Sequence, residues 1–191
     1  MKKRILYFMS VLLVMLCIGC GETTIEMGEE VRDPFEEGNL YYTVYDTKEY
    51  TSLEEASIPV EKMIMPYNTY GIKQMWGEYT QISDYVGEDK MVKTPHHLMV
   101  LDIHIRNQDA IGMLRKNEFM INNICLYGEK TKTVYYPAYF TKAGEVDKEQ
   151  VFHYELEQGQ EEDIQLGYFV LEEDLEKVVG KINETKFKIY Q

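Results

Sequence analysis

The chain is short of cysteine, of positive charge and of long apolar runs, and each shortage removes a class of protein. Three Cys in 191 residues are too few for the disulfide frameworks of small secreted folds. Lys and Arg number 20 against 33 Asp and Glu, a formal charge of −13. That balance argues against sequence-independent nucleic-acid binding, which needs cations to neutralise phosphates, and against a polybasic membrane-surface domain. The main apolar stretch, Ile5 to Ile18 with Ser10 as its interruption, falls short of the about 20 residues of a transmembrane helix. Catalytic signatures are missing too. There is no Gly-x-Ser-x-Gly elbow, no Gly-rich phosphate loop and no EF-hand spacing.

What is present describes a folded globule. Hydrophobic residues make up 45% and charged residues 28%, the proportions of a chain that buries a core. The length suits one domain of about 150 residues with appendages. Aromatics reach 13%, mostly through 16 Tyr, which suits β-structure.

The first twenty residues read as an address. Lys2-Lys3-Arg4 is a positive start, the apolar run follows, and Gly19-Cys20 closes it, the layout of a secretory signal peptide over residues 1–19. Leu16-Cys17-Ile18-Gly19-Cys20 resembles a bacterial lipobox, in which a small residue precedes the Cys that receives diacylglycerol. Gly19 and Cys20 fit it, whereas Cys17 stands where Leu is usual. The resemblance implies lipidation of Cys20 and an extracytoplasmic domain anchored to the cell membrane, since two acyl chains suffice for stable attachment. Residues 1–19 carry three cations and no acid, so the chain beyond them has a formal charge of −16. Cys125 is then the one cysteine left for the folded domain. It sits in an apolar stretch and reads as a small core residue rather than a nucleophile.

Gly21 to Gly38 holds seven acids and one Arg, the composition of a self-repelling, flexible tether; residues 20–38 are so assigned. From residue 39 the pattern turns to period two. Leu40 to Thr51 is rich in β-formers. Met99 to Arg106 is the clearest strand, with Leu101, Ile103 and Ile105 on one face and Asp102, His104 and Arg106 on the other. Further strands are expected at Phe119–Tyr127, Thr133–Phe140, Val151–Leu156, Asp163–Leu171 and Thr185–Tyr190. One short helix is expected at Glu172–Val179, with Gly180 as its stop. The expected fold is an all-β, antiparallel sandwich over residues 39–191 with one short helix near the C-terminus. Residues 54–93 interrupt it as an aromatic-rich excursion without a steady period.

Three landmarks carry a family resemblance. They are Leu98 to Asn107; Glu118-Phe119-Met120-Ile121 with Leu126-Tyr127-Gly128-Glu129 and Tyr136-Pro137; and Leu156-Glu157-Gln158-Gly159-Gln160 with Gly167-Tyr168-Phe169-Val170. Together they resemble the telokin-like, immunoglobulin-like lipoproteins of Gram-positive bacteria, a family of unknown function. The resemblance covers mainly residues 98–191 and implies an immunoglobulin-like sandwich at the cell surface. That family brings no catalytic residue with it.

Chemistry-bearing residues are sparse. Asp102 and His104 stand two apart on one strand face, a spacing that lets both reach one ion, with His97 or His153 needed to complete a zinc set. The plainer reading is a solvated strand face. Glu161-Glu162-Asp163 and Glu172-Glu173-Asp174 supply the oxygens calcium prefers, and read more simply as a turn and a helix start. Tyr67, Tyr70, Trp76 and Tyr79 are the candidate ligand-binding residues, because Tyr and Trp dominate recognition surfaces; burial in the core competes for them. The expectation is a non-enzymatic binding module without cofactor, metal or nucleic-acid partner. It would be held at the membrane by a diacylglyceryl group on Cys20 and take an envelope protein or cell-wall ligand. The alternatives are a metal-dependent domain or enzyme using Asp102 and His104, or a structural component of an envelope assembly.

Overall fold

Alternation of apolar and polar side chains builds two sheets whose apolar faces close on each other. The computed structural model describes residues 24–35, 37–63, 81–112, 117–142 and 153–190. Its strands are β1 (Thr24–Ile25), β2 (Val31–Pro34), β3 (Asn39–Tyr50), β4 (His96–Asn107), β5 (Glu118–Met120), β6 (Ile124–Gly128), β7 (Val134–Tyr135), β8 (Tyr139–Phe140), β9 (His153–Glu155), β10 (Glu161–Leu171), β11 (Val178–Ile182) and β12 (Thr185–Phe187). Sheet A runs β1-β12-β11-β6-β7, and sheet B runs β2-β3-β4-β10-β8. A two-stranded β5–β9 ladder stands apart from both. The pairings are antiparallel except β1 with β12. The result is a mostly-β protein with two sheets in a β-sandwich and very little helix.

The main core lies between the sheets. Leu101, Ile103 and Ile105 of β4 meet Tyr42 and Val44 of β3, Ile164, Leu166 and Tyr168 of β10, and Ile124, Leu126, Ile182 and Phe187 from sheet A. The predicted alternation of β4 therefore holds. Asn107 closes that strand fully buried. Its side chain accepts from the Ala110 amide at 2.8 Å and donates to Ala110 O at 3.2 Å and Leu156 O at 2.8 Å, which satisfies its buried polar atoms.

A second apolar cluster lies on the outer face of sheet B. Leu98 and Val100 of β4 and Phe169 of β10 point away from the main core and meet Leu53, Ile58, Met63, Tyr85 and Val86. The described parts of the 54–93 segment thus cover half of that sheet face. The one turn of α-helix at Ile82–Tyr85 delivers Tyr85 as a stack on Phe169, centroids 4.5 Å apart and planes 11° from parallel.

Several expectations are corrected. The tether assigned to residues 20–38 contains β1 and β2, and Val31 and Asp33 are buried. Two of its acids are paired with distant cations: Glu30 binds Arg106 and Glu26 lies 2.8 Å from Lys188. The sandwich therefore starts well before residue 39. The expected helix at Glu172–Val179 is a six-residue 3-10 helix over Glu172–Lys177, and Val178 already belongs to β11. Gly180 is not its stop but a strand residue, where a Cβ would fall 2.0 Å from Cε2 of Phe187. The expected strand Thr133–Phe140 is two strands on different sheets, with Pro137 between them. Proline lacks the N–H that an uninterrupted strand requires. A 3-10 turn at Ile121–Asn123 likewise splits the expected strand Phe119–Tyr127 into β5 and β6. Cys125 alternates with the core residues Ile124 and Leu126, so it lies outside the main core and half-buried.

Candidate functional site

The other half of the outer face of sheet B is polar, and a backbone irregularity marks it. The β3–β4 register slips between Val44 and Asp46, leaving Tyr45 as the extra residue of a β-bulge. Bulges re-aim side chains and are frequent beside functional sites. Tyr45 is 48% exposed, the largest exposure among the described large hydrophobic side chains. Partial burial, then the charges of Asp163 and Asp102, raise its phenol pKa.

Around Tyr45 the polar side chains form three ion-paired groups. Asp102 accepts from Gln165 Nε2 at 2.7 Å and from Lys48 Nζ at 3.3 Å, and Lys48 also reaches Asp46 at 2.7 Å. Two hydrogen bonds to carboxylates, with the charges behind them, raise the Lys48 pKa. His104 Nδ1 lies 2.9 Å from Asp163 Oδ1, and its Nε2 lies 3.6 Å from Glu161 Oε2. Arg106 grips Glu30, with Nη2 at 2.8 and 3.1 Å from its two oxygens, while its guanidinium sits 4.5 Å over the Tyr41 ring. The hydrogen bond to Glu30 raises the Arg106 pKa. Such a face offers an aromatic side chain, a stacked guanidinium, an imidazole and several carboxylates to a ligand.

Asp102 and His104 share this face as expected, but each is held by a different cross-strand neighbour. His97 lies at the other end of β4, its Nδ1 2.6 Å from Glu49 Oε1. His153 belongs to β9, outside both main sheets. Among the described residues no group of three or more His, Cys, Asp or Glu is arranged to hold a metal ion. Of the acid clusters, Glu161 and Asp163 flank His104, Glu162 pairs with Lys142, and Asp174 is buried. Asp174 accepts from the amides of Lys130 and Thr131 at 3.1 and 3.0 Å, from the Thr131 hydroxyl, and from the Tyr135 hydroxyl at 2.5 Å. Burial pushes its pKa up, but these hydrogen bonds together hold it below the ordinary carboxylate value. Cys125 is pushed up to about 11, chiefly by burial, which suppresses the thiolate a nucleophile needs.

Cys20, Tyr67, Tyr70, Trp76 and Tyr79 lie outside the described residues. Sequence reasoning missed Tyr45, because the bulge that expels it depends on register with β4 and leaves no local signal. It also missed a buried polar group at Asp33, which accepts from Asn183 Nδ2 at 2.7 Å, from Asn123, and from Tyr42 at 3.5 Å. Burial outweighs those bonds and raises the Asp33 pKa.

A family model described as a domain of unknown function, DUF5027, matches residues 24–182. The chain belongs to the DUF5027 family. The DUF5027 match starts at the first residue of β1 and extends far upstream of Leu98, where the sequence resemblance begins. Among solved structures, an uncharacterized β-sandwich protein from Clostridium difficile 630 is similar, at 10% identity and a TM-score of 0.38, over 88% of this chain and 94% of that one. No curated protein matches the sequence.

Proposed function

We propose that this DUF5027 protein is a lipid-anchored, extracytoplasmic, non-enzymatic binding module that takes an envelope protein or cell-wall ligand on the polar half of the outer face of sheet B. The observation that carries the reading is the unequal treatment of one sheet face. Leu53, Ile58, Met63, Tyr85 and Val86 cover the half around Leu98, Val100 and Phe169 with apolar side chains. The half around Asp102 and His104 keeps its polar network, with Tyr45 thrust outward by a bulge. Large amphipathic side chains on a rigid sheet recognise ligands at low entropic cost.

The anchor rests on the lipobox-like ending at Cys20, and the start of the family match at residue 24 supports treating the preceding segment as separate from the domain. The telokin-like, immunoglobulin-like reading is the finer statement of the fold. Its support is the strand order: β3-β4-β10-β8 in one layer and β12-β11-β6-β7 in the other follow the A-B-E-D and G-F-C arrangement of that fold with an added C′ strand.

The test is photo-crosslinking in intact cells at native expression, with the reactive amino acid replacing Thr43 beside Tyr45. A discrete envelope adduct that disappears with Tyr45→Ala is the expected result; a full adduct without the Tyr45 side chain would overturn the site. Retention of the adduct in Asp102→Ala/His104→Ala would count against the metal-dependent or enzymatic alternative. For the anchor, Cys20→Ser is expected to move the protein from the membrane fraction to the medium and to abolish fatty-acid labelling.

A further inference from the structure

One side-chain arrangement occurs nearly twice on the polar half of the outer face of sheet B. Strand registers set Arg32, Tyr41, Arg106 and Glu161 in one row, and Thr43, His104 and Asp163 in the next. In the first row a cation is fully received. The Arg106 guanidinium lies 4.5 Å over the Tyr41 ring, while the Glu30 oxygens hold its Nη2 at 2.8 and 3.1 Å. Beside the second row stands Tyr45, 48% exposed. Burial first, then the charges of Asp163 and Asp102, raise its phenol pKa, so both carboxylates act on this side chain. Among the described residues no cation lies over its ring.

Negative charge is left over at the same place. The Glu161 and Asp163 side chains are 64% and 70% exposed, and among the described residues His104 is the one side chain paired with either. Arg106 stands opposite Glu161 but is gripped by Glu30. Lys48 is shared by Asp46 and Asp102, and Arg32 donates to Asn39. Five carboxylates, Glu30, Asp46, Asp102, Glu161 and Asp163, thus share this surface with three cations, Lys48, Arg106 and Arg32. A ligand that brings positive charge gains from the imbalance. An anionic polymer is repelled by it, and a neutral glycan makes no use of it.

We propose that the partner taken by this face is a basic polypeptide segment, one of whose Lys or Arg side chains lies across Tyr45 and reaches Asp163 and Glu161. The inference rests on the binding-module reading and narrows its ligand to a protein of stated charge. The alkyl stem of a Lys or Arg packs on a phenol ring while its head stays with water or a carboxylate. A cation over the ring face gains electrostatic energy as well, as Arg106 does over Tyr41. Neighbouring strands lie about 4.8 Å apart, so Tyr45 on β3 and Asp163 on β10 are about 10 Å apart across β4. One extended basic side chain and the two side chains that receive it span that distance together. Glu161 and Asp163, two residues apart on one strand face, are separated by about 6.7 Å, which lets a guanidinium or two successive basic side chains meet both.

The experiment follows fluorescein-labelled hexalysine binding to the full chain in neutral detergent by anisotropy at low salt, with labelled hexaglutamate and chitohexaose as contrasting probes. Hexalysine is expected to bind, and to bind several-fold more weakly to Tyr45→Ala and to Glu161→Gln/Asp163→Asn. Tyr45→Phe keeps the ring and is expected to bind as the parent does. Glu129→Gln/Glu184→Gln removes the same charge from exposed turns of sheet A and is expected to leave binding unchanged. Melting temperatures equal to the parent's show that the variants fold. Equal weakening by the two double variants would mean attraction to net charge alone and would overturn the proposal. So would Tyr45-dependent binding of hexaglutamate or chitohexaose in place of hexalysine. The photo-adduct at Thr43 in intact cells separates the two ways of failing. A Tyr45-dependent adduct without any preference for hexalysine removes the basic partner and leaves the binding site standing, whereas absence of both removes the site itself.

Discussion

The Tyr135 hydroxyl donates to Asp174 at 2.5 Å, joining the edge strand β7 to the 3-10 turn that precedes β11. Three further donors, two amides of the 130–131 turn and the Thr131 hydroxyl, converge on the same carboxylate. Replacing Asp174 by Ala strands all of them at a buried position, whereas Tyr135→Phe removes one bond. The expected losses are about 3 kcal/mol and about 1 kcal/mol respectively, read by urea denaturation of the two variants. A smaller loss for Asp174→Ala would sink this account.

The same carboxylate gives stability a pH dependence of known sign. Its folded pKa lies below the ordinary value of 3.8, so its contribution is complete above that value and is lost as pH falls through the depressed folded pKa. Asp33 acts oppositely. Its folded pKa is raised, so it costs stability as pH rises from 3.8 through the raised value. Melting temperatures from about pH 5 down to about pH 2.5 should therefore fall less steeply for Asp174→Asn than for the parent protein. An equal or steeper fall in the variant would contradict the assignment.

Gly180 and Gly159 test two different demands on glycine. At Gly180 the obstacle is steric, because a Cβ meets the buried Phe187 ring. At Gly159 the space is open but φ is +80°, in the left-handed region. Gly180→Ala is expected to cost about 2 kcal/mol, partly recovered by Phe187→Leu, and Gly159→Ala about 1 kcal/mol with no such recovery. Thermal unfolding of the three variants decides it. Failure of Phe187→Leu to recover any stability would remove the steric explanation.

Tyr85 is the stacking partner of Phe169 and packs edge-on to His96, centroids 4.9 Å apart. Tyr85→Ala is expected to cost about 3 kcal/mol, and to open the 53–92 cover before the sandwich itself. Limited proteolysis should then cut within that segment while β4 and β10 amides stay protected from hydrogen exchange. Uniform loss of protection would mean that the two clusters unfold as one.

Much of the sandwich is legible in the sequence where one face of a strand is apolar and the other polar. Leu101, Ile103 and Ile105 against Asp102, His104 and Arg106 is such a case, and the Gln158-Gly159-Gln160 turn is another. Legibility fails where neighbours decide. Leu98 and Val100 sit on the same face of β4 as Asp102 and His104, yet a distant segment buries them. Residues 24–34 look like a tether because their acids dominate locally. Their cations, Arg106 and Lys188, come from strands far along the chain. Tyr45 is invisible as a site for the same reason, since a bulge is a property of two strands.

Composition and periodicity alone determined the acidic charge, the β-rich class and the central strand, because these depend on residue identity and on spacing within a few positions. Only the tertiary structure decided which faces are covered, that Tyr45 projects, that Asp174 is a buried acceptor, and that Lys181 stands opposite Lys186. Those facts follow from strand pairing between residues far apart in sequence, and local preference carries no information about such register.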